Sequence, residues 1–174
     1  KVAEAYGARV IPYAGDLEYE QRNLYIQEAR GEWLLIIDGD ERIDADSFNQ
    51  EFQEQIAQSN RAGFYIPIIN FYGEGKWAST TTLRLYKNVP GLQYDKAEVH
   101  TSLQPSMQRY YGGTISDKLG CFSMPNFQLD GIMRRNKNSK RQKYRDEVLR
   151  CLERYKGTEN ELRFHNYYGF ELAG

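Results

Sequence analysis

A cluster of three acidic residues follows a run of five apolar residues at positions 33–37: Asp38, Asp40 and Glu41. Crowded carboxylates repel one another, so their ionised forms carry a free-energy cost that a divalent cation removes. Ligand sets made only of oxygen suit Mg²⁺ and Mn²⁺, which also bind phosphate oxygens. Gly39 allows the backbone to approach a ligand closely. The spacing therefore predicts a site for Mg²⁺ or Mn²⁺ with a phosphate-bearing ligand. The alternative is a solvated acidic turn that caps the next helix.

Two other motifs that place acids after an apolar strand fit the sequence poorly. A Walker B segment works with a phosphate-binding loop of the form G-x-x-x-x-G-K-[ST], and the chain contains no such loop. An EF-hand loop needs an acid or asparagine at its fifth position, where Arg42 stands.

The apolar run at 33–37 predicts where the acids lie. It is bounded by Gly31 and Gly39, and an unbroken run of that length is typical of a strand buried on both faces of a parallel sheet. Open α/β sheets bind ligands just beyond the carboxyl ends of their strands. We therefore expect a central strand, flanked by parallel neighbours, that presents the acids to a ligand cleft.

The rest of the sequence predicts helices and strands in alternation, followed by helices. Predicted helices cover 1–7, 17–29 after Asp16, a segment after Asp44 or Asp46 with Phe48, Phe52 and Ile56 on its core face, 140–155 and 160–173. Predicted strands cover 9–13, 63–72 with Pro67 at an edge or bulge, 80–86 and part of 92–103, whereas 104–127 has the composition of a loop. This order favours a doubly wound α/β fold.

The composition is that of an ordinary globular chain without a charge bias. Of the 174 residues 40% are hydrophobic and 27% charged, and the formal net charge is −1. A global attraction to nucleic acid is therefore absent, and we expect no nucleic-acid partner. Two cysteines are too few for a disulfide scaffold or a zinc site, which favours a reducing, cytoplasmic compartment. The sequence shows neither a signal peptide nor an 18-residue apolar run.

An ordered set of motifs over residues 1–156 resembles the family 2 glycosyltransferases, in particular a bacterial branch with an A-x-G-[DE]-W-x-hhh-D-x-D-E core. The motifs that carry the resemblance are Arg22-Asn23, Ala29-Arg30-Gly31-Glu32-Trp33, Asp38-Gly39-Asp40-Glu41, Leu83-Arg84-Leu85-Tyr86-Lys87-Asn88 and Val99-His100. That family shares the GT-A fold. The resemblance therefore implies a Rossmann-like, mostly parallel sheet flanked by helices, with a GT-A-like domain at 1–131 and a C-terminal helical extension at 132–174.

The resemblance also implies roles for individual residues. Asp40 would bind Mn²⁺ or Mg²⁺ directly, Asp38 would bind the ribose or the cation through water, and His100 would join the metal site. Arg22, Asn23 and Arg84 would contact the nucleotide-sugar donor. Trp77 would stack on an acceptor sugar. For Arg22 a surface charge on a helix, and for Trp77 a place in the core or at a sheet edge, are the alternatives.

Three departures from the family pattern bear on catalysis. The family's first strand, helix and strand, which hold the nucleotide base, are missing before Lys1, so we expect the natural protein to extend upstream. The family's His-Glu pair is His100-Thr101 here, and a later H-x-G segment corresponds to Leu129-Asp130-Gly131. An inverting transfer needs a carboxylate that accepts the acceptor's proton. Asp130 is the first candidate for this base and Glu98 the second.

These departures leave three functions open. The first is metal-dependent, inverting transfer of a sugar from a nucleotide diphosphate to a glycan, lipid-linked or protein acceptor. The second is a non-catalytic GT-A-like binding or assembly module, and the third a sugar nucleotidyltransferase. The basic run 134–145 would allow peripheral contact with the inner face of a membrane, although the solvated start of a helix explains it as well.

Overall fold

The computed structural model describes residues 2–43, 46, 48–73, 75–97, 101–121, 129–132, 138–158, 161–162 and 164–165. The predictions on Glu98 and His100 lie outside these residues, and so do those on the side chains of the basic run at 134–144.

The described elements alternate between helices and strands, which confirms the α/β class. The helices are α1 (Val2–Ala5), α2 (Glu18–Glu28), α3 (Gln50–Ala57), α4 (Gln104–Tyr111) and α5 (Asn138–Arg154), with a 3₁₀ turn at Ser116–Lys118. The strands are β1 (Trp33–Leu35), β2 (Glu41–Ile43), β3 (Gly63–Gly73), β4 (Lys76–Lys87), β5 (Leu119–Cys121) and β6 (Leu129–Ile132).

The chain divides into two compact units. One comprises Lys1–Arg30, Leu92–Ser106 and Asn138–Gly174, and the other comprises Gly31–Gly91 and Met107–Lys137. All six strands belong to the second unit. The domain boundary expected at residue 131 comes from the resemblance to a family. A division of the chain into compact units does not test it, so it stays a prediction.

The sheet of the second unit is mixed rather than mostly parallel. Its strands follow the order β1-β4-β3-β6-β2, and β5 also pairs with β3. The pairs β1–β4, β3–β4 and β2–β6 are antiparallel, whereas β3 runs parallel to β5 and to β6. The long β3–β4 hairpin accounts for the difference, because a chain that returns through a tight turn must pair antiparallel. Gly75 provides the positive φ of that turn, at 71°.

The prediction of a central strand at 33–37 was wrong in position. β1 covers only Trp33–Leu35, stands at one end of the strand path and is antiparallel to β4, its one neighbour among the described strands. Leu34 and Ile36 are nevertheless buried. An apolar run predicts a strand that is shielded from water, but it does not predict whether the neighbouring strands run parallel or antiparallel to it.

Pro67 explains how β3 holds two parallel partners along one edge. Residues 63–65 of β3 pair with β5 and residues 68–71 pair with β6. Pro67 lies between these two pairings and has no N–H to donate. The prediction of a sheet edge or a bulge at Pro67 was therefore wrong, because Pro67 lies between the segments of β3 that pair with β5 and with β6.

One face of the sheet packs against α3. The buried centre of this core consists of Phe52, Ile66, Ile68 and Leu85. Asn49 caps α3 by accepting a hydrogen bond from the Phe52 N–H at 3.0 Å, instead of the predicted aspartates. Phe48 precedes the helix and is exposed, so only Phe52 and Ile56 of the predicted apolar face lie in or against the core.

The first unit has a core of its own around α5. Its buried members are Ala97, Val148, Cys151 and Phe164, and α5 matches the helix predicted at 140–155. Two predictions were wrong: residues 9–13 form no strand, and the loop expected at 104–127 contains α4, the 3₁₀ turn and β5. The described residues of 92–103 contain no strand either.

Candidate functional site

The acidic residues after β1 form a closed turn. The Glu41 N–H donates to the Asp38 carbonyl oxygen at 2.9 Å, which is the hydrogen bond of a β-turn. The Asp38 N–H donates in return to Oε2 of Glu41, also at 2.9 Å. The segment 36–40 connects β1 and β2, which lie at opposite ends of the strand path, so this turn lies between two different edges of one sheet.

Arg84 of β4 contacts both ends of the turn. Its Nη2 lies 2.7 Å from Oδ2 of Asp38 and 2.5 Å from Oε1 of Glu41. The side chain of Glu41 is 8% exposed and that of Arg84 13%, whereas that of Asp38 is 41% exposed. Ion pairs withdrawn from water in this way are screened little by salt. The guanidinium therefore neutralises Glu41 inside the protein and reaches Asp38 at the surface.

The pKa of Arg84 depends on both its burial and its two acidic partners. Burial of the guanidinium lowers its pKa, but the hydrogen bond to Asp38 and the negative charges of Asp38 and Glu41 outweigh burial and raise the pKa above its ordinary value. Arg84 consequently stays charged at every physiological pH.

The strand pattern of β4 explains why Arg84 can reach the turn. Leu83 and Leu85 are buried on either side of it in sequence, and alternate residues of a strand point to opposite faces. The Arg84 carbonyl also accepts the Ile36 N–H at 2.9 Å. Backbone and side chain of one residue thus hold the segment that leads from β1 into the acidic turn.

Asp40 differs from its two acidic neighbours. Its side chain is exposed and forms no hydrogen bond or ion pair with any residue in the described part of the chain. A Cβ added at the adjacent Gly39 would meet no atom within 4 Å. The turn therefore presents the carboxylate of Asp40 to open space.

The donor set of this turn fits a cation held by two carboxylates. No group of three potential ligands occurs among the described residues, and Glu41 is already occupied, because one of its oxygens meets Arg84 and the other meets the Asp38 N–H. Mg²⁺ is commonly bound through one or two carboxylates together with phosphate oxygens. Asp38 and Asp40 match that pattern, whereas His100, the third predicted ligand, lies outside the described residues.

The sheet brings the backbone of Asp130 close to the same turn. In the β2–β6 pairing Glu41 stands opposite Gly131, and Arg42 stands opposite Asp130. Directly opposed residues of an antiparallel pair have Cα atoms about 4.5–5.5 Å apart. The backbone of the first candidate base therefore lies one strand away from the end of the turn, although 89 residues separate positions 41 and 130.

Trp77 lies near the tip of the β3–β4 hairpin, where its side chain is 63% exposed. It stands in register opposite Phe71, which is also exposed. Residues opposed in this way place their side chains on the same face of the sheet. Two exposed aromatic residues thus stand opposite each other on one face of the hairpin, and the alternative of a core tryptophan is excluded.

Arg22 and Asn23 belong to the first unit and contact Tyr94. The Asn23 side chain bonds both the N–H and the carbonyl of Tyr94, at 2.7 and 3.4 Å. Arg22 pairs with Glu18 at 2.7 Å and lies over the Tyr94 ring, 5.4 Å from its centroid. Tyr25 donates to the Tyr94 hydroxyl at 3.1 Å. Tyr94 could not be found from the sequence, because it lies 71 residues from Asn23 in a segment without regular periodicity.

The predicted site residues therefore separate into groups. The structure brings together Asp38 and Arg84, adds Glu41 to them and places the backbone of Asp130 nearby, whereas Asp40 stands open at the turn. Arg22 and Asn23 belong to the first unit, and so do their partners Glu18 and Tyr94.

Within the described part of the chain, no helix is both long and apolar enough to cross a bilayer. Comparison with models of known protein families gives no match, and comparison with curated proteins gives none either.

Proposed function

We propose that this chain is the larger part of a glycosyltransferase domain of the family 2 type, which transfers a sugar from a nucleotide-diphosphate donor to a glycan, lipid-linked or protein acceptor. The observation that carries the proposal is the braced turn Asp38–Glu41, which directs one open carboxylate outward while an internal arginine holds the other two acids. The ordered motifs named above add the reaction class.

The residues of the turn have distinct tasks in this proposal. Asp38 and Asp40 would hold the Mn²⁺ or Mg²⁺ that the donor's diphosphate requires. The bound cation supplies charge neutralisation to the departing nucleoside diphosphate. Arg84 holds the turn through Asp38 and Glu41, and the predicted contacts of Arg22, Asn23 and His100 with donor or cation remain part of the proposal.

Asp130 is the proposed catalytic base. Its task is to accept the proton of the acceptor hydroxyl while that oxygen forms a bond to the anomeric carbon of the donor sugar. The pairing of β6 with β2 supports this assignment, because it puts the backbone of Asp130 next to the strand that begins at Glu41. Glu98, the second candidate, lies outside the described residues. Trp77, with its exposed ring, is the proposed stacking surface for an acceptor sugar.

A thermal-shift experiment tests the donor site. A ligand that binds only the folded chain raises its melting temperature by mass action. We expect Mn²⁺ with a nucleoside diphosphate to raise the melting temperature of the protein. Asp40→Asn should remove the cation-dependent part of that rise, because the exposed carboxylate is the open ligand of the turn.

Asp117→Asn is the matched control. Asp117 is an exposed aspartate of the same unit and lies in the 3₁₀ turn, so its replacement should leave the cation response at the wild-type value. Absence of any response to the common nucleoside diphosphates would contradict the donor site. A response to diphosphate without turnover of any nucleotide sugar would instead favour the non-catalytic binding module.

A further inference from the structure

Arg84 and Glu41 have a relationship that the donor-binding role expected of Arg84 does not explain. One guanidinium nitrogen contacts both Asp38 and Glu41. Glu41 is the more buried of these two acids, and its second oxygen accepts the Asp38 N–H. Both carboxylate oxygens of Glu41 thus bond to the protein itself, one to Arg84 of β4 and the other to the backbone of the turn.

We infer that Arg84 and Glu41 are positioning residues, which set the geometry of the turn so that Asp38 and Asp40 can bind a divalent cation together. Glu41 itself is not a cation ligand. This inference rests on the proposed function for the cation, but the brace between β4 and the turn exists independently of it.

The acidic turn concentrates negative charge over a short stretch of backbone. Three carboxylates within four residues repel one another, and without a counter-charge the turn would open to separate them. Arg84 compensates two of them through one nitrogen, Nη2. The N–H groups of that nitrogen lie in the fixed plane of the guanidinium and so restrain the direction of both carboxylates, which the rotating ammonium of a lysine does not do. Asp40 is left without compensation, so the remaining negative charge of the turn is concentrated where a cation arrives.

Arg84 also orients the carboxylate of Asp38. A carboxylate has two oxygens with about four acceptor positions, and Arg84 contacts Oδ2. A carboxylate whose one oxygen is held by an arginine keeps its other oxygen in a defined direction. Groups that orient a metal ligand in this way commonly change metal affinity by about 10- to 100-fold when they are removed.

Arg84→Lys is the decisive variant, because it keeps a positive charge beside Glu41 but removes the planar guanidinium whose Nη2 contacts both acids. Residue-resolved hydrogen exchange reports the brace without any ligand: the amides of Asp38 and Glu41 donate within the turn, and we expect their protection to fall at least about tenfold. We further expect the affinity for Mn²⁺, measured by titration in the presence of a nucleoside diphosphate, to fall about 10- to 100-fold.

Arg61→Lys is the matched control. Arg61 lies in the same unit and donates from Nη1 to the backbone carbonyls of Asp117 and Leu119, at 2.7 and 3.3 Å. It contacts neither acid of the turn, so both readouts should stay at their wild-type values. Glu41→Gln serves as a second variant if Arg84→Lys does not fold, because it removes the buried charge and keeps a side chain of the same shape. It should lower amide protection in the turn.

The possible results distinguish the positioning role of Arg84 and Glu41 from the proposed glycosyltransferase function. Unchanged amide protection in the variant that folds overturns the brace. Reduced protection with an unchanged or increased Mn²⁺ affinity in Arg84→Lys overturns the positioning role, since a Glu41 released from Arg84 would then be acting as a ligand. A wild-type protein that binds no Mn²⁺ with any nucleoside diphosphate overturns the proposed function, and hydrogen exchange alone then decides the brace.

Discussion

Asn23 binds Tyr94 through both of the tyrosine's backbone groups, as a neighbouring β-strand would. The Tyr94 N–H donates to Oδ1 of Asn23 at 2.7 Å, and Nδ2 donates to the Tyr94 carbonyl at 3.4 Å. Tyr94 is buried and its segment has no strand partner in the described part of the chain. A side-chain amide can therefore replace a missing strand, because it carries one donor and one acceptor in the geometry of a peptide.

Asn23→Ala is expected to destabilise the protein by about 1–3 kcal/mol, because it leaves the buried backbone N–H and carbonyl of Tyr94 without their partner. Urea denaturation measures the change in the free energy of unfolding. The control is Asn60→Ala, at an exposed asparagine, which should change stability by less than about 0.5 kcal/mol. A destabilisation no larger than that of the control would show that the contact with Tyr94 has no net effect.

Phe52→Ala should lower the free energy of unfolding by about 3–5 kcal/mol, because it empties the centre of the core between α3 and the sheet. Phe48→Ala makes the same chemical change four residues earlier, at a ring that is exposed but lies against Phe52. It should cost much less. Chemical denaturation of both variants tests the prediction, and equal losses would contradict the position of α3.

Asp130→Asn tests the catalytic base. If Asp130 accepts the acceptor's proton, turnover should fall roughly 10²- to 10⁴-fold, while the affinity for nucleoside diphosphate should change little, because the base acts on the acceptor side. Glu98→Gln is the companion variant for the second candidate. Steady-state kinetics with a nucleotide-sugar donor separates the two, and a loss confined to Glu98→Gln would exchange their roles.

Because the pKa of Glu161 is lowered in the folded protein, we expect the stability of the first unit to depend on pH. Its Oε2 accepts the Gly157 N–H at 2.6 Å. That hydrogen bond lowers the pKa of Glu161, burial opposes the shift, and the contact with His165 adds to it. A depressed carboxyl pKa contributes stability that is present above the ordinary value of 4.5 and is lost as the pH falls through the lower folded value.

Thermal melts of wild type and Glu161→Gln measure this contribution. The wild type should melt at a higher temperature than Glu161→Gln at pH 7, and the difference should shrink below about pH 4. A difference that is independent of pH would mean that the charge of Glu161 plays no part in holding the turn at Gly157.

The sequence by itself determined the local features of this protein. Alternation predicted β4, periodicity predicted α5, and the apolar run at 33–37 predicted a strand. That strand covers Trp33–Leu35, with Leu34 and Ile36 buried and Ile37 exposed. The acidic cluster was visible for the same reason, since its three acids are neighbours in the chain. Propensity and spacing act over a few residues, so they are readable without a fold.

Only the tertiary structure decided which distant residues meet the cluster and where the strands stand. Whether β1 lies at the centre or the end of the sheet depends on pairing with a hairpin about 50 residues later, and such pairing leaves no mark in the local pattern. The contact of Arg84 with Glu41 joins residues 43 positions apart, and that of Asn23 with Tyr94 joins residues 71 positions apart. An arginine or an asparagine in a sequence shows that it can donate hydrogen bonds, but only the folded backbone brings the acceptor within reach.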